Sequence, residues 1–259
     1  MCTLSWIETT SGYQLFFNRD EQRTRQHALP PEVKSLDAAN VLSPIDPVGG
    51  GSWISVNEYG LSLCLLNYYQ GATPPGLLVS RGALLLSVAH HSSIDDLDKA
   101  LLARSLTQYA PFTLIVFGKK TSTSSYSREG YQWNGESLNH FNPSSPITSS
   151  SVMMNEVKKS RFNQYFQQVK SQNPSELKRF HLGHDGGKNH RSVCMHREDA
   201  KTVSFSHISV ENGNAIFSYQ NGAPCERQRI VTSTIPLKRD STYSSKLNFF
   251  EIDSAVCGP

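Results

Sequence analysis

The chain opens Met1-Cys2-Thr3-Leu4-Ser5-Trp6-Ile7 and, after Glu8-Thr9-Thr10-Ser11-Gly12, continues Tyr13-Gln14-Leu15-Phe16-Phe17-Asn18-Arg19-Asp20-Glu21. Both apolar runs are rich in strand-forming residues and the segment between them has turn chemistry, so residues 2–7 and 13–18 read as a β-hairpin. Chemistry at position 2 would then sit on a strand facing the returning one. Cysteine is small enough to permit removal of the initiator methionine, which would leave one residue carrying both a thiol and a free α-amine. Such a residue can be nucleophile and base together, because an α-amine titrates at about 8 and can take its own side chain's proton. The chemistry also needs a cation near the sulfur, a carboxylate to orient the ammonium and an amide donor for a developing oxyanion. Arg19 and Asp20 supply the first two, and Asn67, at the end of a later strand, supplies the third.

Outward from the hairpin, residues 28–51 read as a loop rich in Pro, Asp and Gly, ending in Gly49-Gly50-Gly51. A second hairpin is expected from Trp53–Asn57 and Leu61–Asn67 around Glu58-Tyr59-Gly60. Leu78, Leu84, Leu85, Val88 and Ala89 predict a helix over 77–91, and Ser93-Ile94-Asp95-Asp96 resembles a capping box opening a second. Phe112–Phe117 reads as a central strand. Residues 119–151 turn to Ser, Thr, Asn and Pro, which suggests a surface excursion holding one strand at 126–133. A third helix is expected over 152–169, with Val157, Phe162, Phe166 and Val169 on one stripe. Four strands close the chain, at 192–196, 202–210, 215–219 and 227–235. This order predicts a single domain over 1–259, layered from sheets and helices.

Composition narrows the class. Of 259 residues 37% are hydrophobic, enough for a core, while only 18% are charged and the net charge is +3 with no basic stripe. A nucleic-acid partner is therefore not expected, and no apolar stretch is long enough for a membrane span. The cysteines, Cys2, Cys64, Cys194, Cys225 and Cys257, are odd in number, widely spaced and without a CxxC pair, which argues against a disulfide scaffold or a zinc ribbon. The first residues lack the features of a signal peptide, so a reducing cytoplasm with free thiols is expected. His181, His184, His190, His196 and His207 cluster in sequence, but their spacing matches no closed zinc pattern, so they read as solvated loop histidines and no metal is expected. Alternation puts Cys194 and His196 on one face, leaving His196 a hydrogen-bonding or ligand role. Cys64 reads as core and Trp53 as a packing anchor.

Met1-Cys2, the tetrapeptide Asn18-Arg19-Asp20-Glu21 and the run Gly50-Gly51-Ser52-Trp53-Ile54-Ser55-Val56-Asn57-Glu58-Tyr59-Gly60 resemble the NRDE family, also called the transport and Golgi organisation family. Cys194-Met195-His196-Arg197, Thr202-Val203-Ser204 and Gly222-Ala223-Pro224-Cys225 fit its bacterial branch. That family is similar to Ntn hydrolases of the choloylglycine hydrolase and penicillin V acylase type. The resemblance implies an α+β fold, a four-layer αββα Ntn-hydrolase-like sandwich of two mainly antiparallel sheets flanked by helices. It implies Cys2 as nucleophile, Arg19 and Asp20 beside it and Asn67 as oxyanion donor, with Asn57 and Glu58 framing the segment before Asn67. Ser160-Arg161-Phe162 resembles a helical S-R-F element of those hydrolases, so Asn18, Asn57, Glu58, Arg161 and His196 enter as secondary substrate- or ligand-binding candidates.

The pattern departs from those hydrolases in three places. Arg19 and Asp20 are adjacent where the hydrolases space them R-x-x-D, so in a straight strand they face opposite sides of the sheet. The hydrolases' T-N-x-P element has no counterpart near Ser149–Ser151. Their late arginine has none either, Lys201 lying closest and Arg197 and Arg191 further off. The expected activity is hydrolysis or transfer of a small acyl amide, with no cofactor. The rival expectation, from the family's association with haem handling and lipid homeostasis, is a non-catalytic carrier of haem or an acyl lipid.

Overall fold

The computed structural model describes residues 1–238 except 124, 172 and 185; Cys257 lies outside the described residues. Thirteen strands and four helices are described. One sheet has the order β10 (Ile147–Ser149), β1 (Cys2–Glu8), β2 (Tyr13–Gln22), β11 (Ala200–Glu211), β12 (Asn214–Asn221), β13 (Ile230–Pro236), and the other runs in chain order from β3 (Leu29–Leu36) through β4 (Ala39–Ile45), β5 (Ile54–Asn57), β6 (Ser62–Asn67), β7 (Phe112–Lys119) and β8 (Tyr126–Trp133) to β9 (Leu138–Phe141). Neighbouring strands pair antiparallel throughout.

The hairpin that opens the chain forms as expected. β1 (Cys2–Glu8) pairs with β2 (Tyr13–Gln22) in a register that sets Cys2 opposite Arg19 and Trp6 opposite Leu15. Alternation then sorts the side chains. Leu4, Trp6, Tyr13, Leu15 and Phe17 enter the core between the sheets, where they meet Leu42, Ile54, Val56, Ile115 and Phe117 of the second sheet. Fully burying each such side chain contributes roughly 1.5–3 kcal/mol. Thr3, Ser5, Asn18 and Asp20 take the alternate positions and are also buried, because helices cover that face too. Those helices are α3 (Met154–Gln168) and α4 (Pro174–His181). On the far side of the second sheet, α1 (Arg81–Val88) and α2 (Ile94–Leu102) pack on β6 (Ser62–Asn67) and β7 (Phe112–Lys119) through Leu63, Leu84, Leu85, Leu97, Leu101 and Leu114. The stack is helix, sheet, sheet, helix.

Several expectations are corrected. Residues 28–51 are not a loop, since they hold β3 (Leu29–Leu36) and β4 (Ala39–Ile45), joined at Asp37 and Ala38, both at positive φ without being glycine. Pro30 and Pro31 fit there because β3 is an edge strand with a register shift between Leu29 and Glu32. The hairpin of β5 (Ile54–Asn57) and β6 does turn at Gly60, whose φ of 72° favours glycine. The first helix starts at Arg81 instead of Leu77, because the Ser80 side chain caps it by accepting from Ala83 N, and Leu77 is exposed. Ser93 caps α2 as the motif predicted.

Residues 119–151 are no surface excursion. β8 (Tyr126–Trp133) and β9 (Leu138–Phe141) finish the second sheet, and β10 (Ile147–Ser149) pairs with β1, placing Ser149 opposite Cys2. The third helix forms, but Phe166 is exposed and the buried positions are Val157, Arg161 and Gln164. α4 is a helix beyond those expected, capped by Asn173 and opened by Pro174. Residues 192–196 do not form a strand and contribute one bridge, His196 to Lys201. The last strands are β11 (Ala200–Glu211), β12 (Asn214–Asn221) and β13 (Ile230–Pro236), the last beginning later than the expected Arg227.

Two histidines cement the helix-facing side of the first sheet. His181 meets the Ser5 hydroxyl through Nε2 at 2.8 Å and Asn18 Oδ1 through Nδ1 at 3.0 Å. His207 stacks on Phe16 at 4.5 Å and reaches Gln14 Oε1 at 3.0 Å. Burial, with Arg161 and His207 nearby, holds His181 down to about 3, and burial with the Lys178 charge holds His207 down to about 4. A folded-state value below the ordinary 6.5 means the unfolded chain binds the proton first. Stability from keeping these rings neutral is therefore complete above about pH 6.5 and is lost as pH falls toward 4. We expect the melting temperature to drop between about pH 7 and pH 4.5 and to drop less in His207→Gln; equal slopes in the two proteins would contradict this.

Candidate functional site

Where β1 begins and β2 ends, beside the β4–β5 connection, the chain forms a cleft of about 440 Å³ lined by Cys2, Arg19, Asp20, Asn67, Trp53 and Arg81, among others. The four residues singled out as catalytic are thus brought to one cavity. Cys2 and Arg19 share the face that looks toward the second sheet, since they are opposed in register. The Arg19 guanidinium lies over the Trp53 ring at 4.3 Å and donates to Asp46 Oδ2 at 2.9 Å. Arg25 donates to the same oxygen at 2.7 Å. Burial opposes the Asp46 charge, but the Arg25 hydrogen bond and the Arg19 charge prevail and hold its carboxyl below the ordinary range.

Asp46, Arg25 and Arg81 were not recognised from the sequence. Asp46 carries a local signal, because in Ile45-Asp46-Pro47-Val48-Gly49 its Oδ1 accepts from Val48 N at 3.0 Å and so shapes the turn. The glycines after it allow a close approach: a Cβ on Gly51 would lie 2.3 Å from the Gly82 carbonyl carbon, so the loop and the start of α1 can touch only without one. That contact brings Ser80, Arg81 and Gly82 to the rim of the cleft.

Arg19 and Asp20 do face opposite sides, as their adjacency predicts. Asp20 turns toward α3, and opposite this step β11 shifts register between Thr202 and Ser204. The Asp20 carboxylate accepts from Thr202 Oγ1 at 2.6 Å and forms an ion pair with Arg161 at 3.4 Å, both side chains being wholly buried. Arg161 also donates to Thr3 Oγ1 at 2.6 Å and Thr148 Oγ1 at 3.0 Å. Burial raises the Asp20 carboxyl, and the Arg161 charge pulls it back. Asp20 still reaches the cleft through its backbone, which lies beside the Cys2 thiol. Burial raises that thiol above its ordinary value, while the terminal ammonium, the Asp20 backbone and Arg19 draw it down.

Met1 occupies the end of β1. Its carbonyl accepts from Asp20 N at 2.9 Å, and its ammonium donates to the Asp20 carbonyl and to Tyr69 OH, each at 3.3 Å. Asn67 Nδ2 donates to the same Tyr69 oxygen at 2.9 Å. Tyr69 therefore links the oxyanion candidate to the chain terminus.

The secondary candidates divide differently. Asn18 is wholly buried and donates to the His181 and Val193 carbonyls at 2.9 Å each, so it joins sheet to helix layer and does not line the cleft. Asn57 ties its turn to the end of α1 through the Ala89 and His91 carbonyls, at 2.9 and 2.7 Å. Glu58 accepts from Asn40 N at 3.0 Å and pairs with Lys238 at 2.8 Å, away from the cleft. Arg161 is the buried partner of Asp20 and not a cleft residue. His196 is also outside the cleft and lies against Cys194 and Cys225. Cys64 is buried core, and burial pushes its thiol far up.

A family model described as Transport and Golgi organisation 2 matches residues 1–208. No curated protein is significantly similar to the chain in sequence. Among solved structures, a mutant conjugated bile acid hydrolase from Clostridium perfringens gives a TM-score of 0.54 at 14% identity, over 93% of this chain and 97% of that one. Penicillin V acylase from Agrobacterium tumefaciens gives 0.51 at 10% identity, over 85% and 83%. An N-acylethanolamine-hydrolyzing acid amidase ortholog from Caenorhabditis elegans gives 0.53 at 10%, over 92% and 100%. At such identities the likeness is one of fold, and it is the Ntn-hydrolase-like sandwich that the family resemblance implied.

Removing one partner of a buried ion pair leaves an uncompensated charge. We expect Arg161→Met to cost about 3–5 kcal/mol in urea unfolding, with part of that loss recovered in Arg161→Met/Asp20→Asn; a loss below about 1 kcal/mol would contradict the pairing.

Proposed function

We propose that this chain, which belongs to the Transport and Golgi organisation 2 family, is a cysteine amidohydrolase or acyltransferase of the N-terminal-nucleophile type that acts on a small acyl amide through Cys2. The observation that carries this reading is the meeting of Cys2, Arg19, Asn67 and the Asp20 backbone in one cleft, with Cys2 directly opposite Arg19.

The reaction begins with processing. Loss of Met1 makes the Cys2 nitrogen an amine and frees the Asp20 N–H that now donates to the Met1 carbonyl. The amine takes the thiol proton, and the thiolate attacks the amide carbon. The oxyanion that forms accepts from Asn67 Nδ2, now turned to Tyr69 OH. Collapse breaks the C–N bond, and the Cys2 ammonium returns its proton to the leaving nitrogen. Water, or an acceptor amine, then takes the acyl group from the thioester and regenerates the thiol. Arg19, fixed between Trp53 and Asp46, supplies positive charge beside the sulfur.

Met1 is itself 7% exposed in the folded chain. An aminopeptidase would reach it before folding closes β1 against β2, so processing on this account accompanies synthesis.

Intact mass of the purified protein should show the chain without Met1, and the processed protein should turn over members of a panel of acyl amides. Cys2→Ala should abolish that turnover, and Asn67→Ala should lower kcat by about 10²–10³. Met1 retained in full, or turnover unchanged in Cys2→Ala, would overturn the reading and leave the fold to a carrier role.

A further inference from the structure

The structure assigns a zinc site to His184, Cys194, His196 and Cys225, distinct from the cleft that holds Cys2. Three parts of the chain converge here. His184 follows α4, Cys194 and His196 lie in the irregular segment before β11, and Cys225 sits in the single helical turn Pro224–Glu226 after β12. One donor atom from each of the four lies within 4.8 Å of every other. None of the four lines the catalytic cleft.

The distances have the scale of a metal tetrahedron. Zn–S and Zn–N bonds of the usual length set adjacent sulfur and nitrogen ligands roughly 3.5 Å apart. His196 Nε2 lies 3.6 Å from Cys194 Sγ and 3.3 Å from Cys225 Sγ. The His184 and His196 rings stand 5.2 Å apart between centroids. His184 Nε2 is buried without a hydrogen-bond partner among the described residues, an unfavourable position that a metal bond would relieve. Cys194 is buried as well.

Donor chemistry selects the ion. Two thiolates and two imidazoles are a borderline-soft set that suits Zn²⁺, and the two negative charges of the thiolates balance the charge of the ion. With four protein ligands no position stays open for water or substrate, so the site is structural. Its position gives it a task. Among the described residues of 182–199 there is no helix or strand, and irregular stretches of that length need something to hold them. The clamp would pin this segment to the turn after β12. Directly beside Cys194, Met195 N donates to Thr202 Oγ1, the hydroxyl that donates to Asp20.

Elemental analysis of the purified full chain, with and without Met1, tests the site. We expect about one zinc per chain. Removal of the zinc with a chelator at mildly acidic pH and reloading with Co²⁺ alone at neutral pH should give a thiolate-to-cobalt charge-transfer band and the d–d bands of tetrahedral coordination. Cys194→Ser/Cys225→Ser should lose at least about tenfold of the bound zinc, whereas His190→Ala, a neighbouring histidine outside the cluster, should keep it. If the double variant does not fold, the cobalt spectrum of the wild-type chain decides. Folded wild-type protein that binds neither metal stoichiometrically overturns the assignment, as does an intact mass and peptide map showing a Cys194–Cys225 disulfide.

Discussion

Two unlike charges buried out of reach of water, Asp20 on β2 and Arg161 on α3, join the first sheet to the helix layer that covers it. Taking both groups from water costs several kcal/mol per ion, which their attraction offsets only if the remaining hydrogen-bonding capacity is filled. Thr202 serves Asp20, and Thr3 and Thr148 serve Arg161. Those three threonines come from β11, β1 and β10, so these hydrogen bonds form only when three strands and a helix are all in place, and the Arg161 Nε is buried without a partner among the described residues. The pair also fixes the end of β2, and with it the Arg19 side chain one residue earlier, on the opposite face and in the cleft.

The alternation in β1 and β2 therefore serves two different interfaces. Leu4, Trp6, Leu15 and Phe17 build an apolar layer between the sheets. Thr3, Ser5, Asn18 and Asp20 build a hydrogen-bonded layer with Arg161 and His181. Apolar packing tolerates repacking, whereas a low-dielectric polar network fails at whichever member loses its partner. Cys2 lies where the two layers end, close enough to both to feel the Arg19 charge from one side and the Asp20 charge from the other.

Much of this was legible in the residues. The first hairpin, the Gly60 turn and the Ser93 cap rest on local chemistry, and each formed as local chemistry predicts. β3 and β4 were hidden because their connection uses Asp37 and Ala38 at positive φ, where turn rules look for glycine or asparagine. β10 was hidden because three residues inside a Ser-rich segment carry no period, and only pairing with β1 makes them a strand. Asn18, Asn57, Glu58 and Arg161 enter as ligand-binding candidates only through the family resemblance, and sequence does not distinguish a group that satisfies the backbone or a buried partner from one that meets a ligand. Arg161 shows why: the expected stripe of Val157, Phe162, Phe166 and Val169 leaves it out, and only Asp20 lying opposite accounts for its burial. The loose spacing of His181, His184, His190, His196 and His207 reads as solvated loop, yet His181 is wholly buried at the end of α4, and the convergence of His184, Cys194 and His196 depends on Cys225, which enters from another strand connection.

That Cys2 carries the acyl group is the claim on which the functional account depends. Acid quench during turnover of an acyl amide, followed by peptide mapping, measures it directly. The account predicts a thioester on the side chain of an N-terminal Cys2, present during turnover and gone once substrate is spent. Turnover with no acyl adduct, or an adduct confined to Cys194 or Cys225, would contradict it.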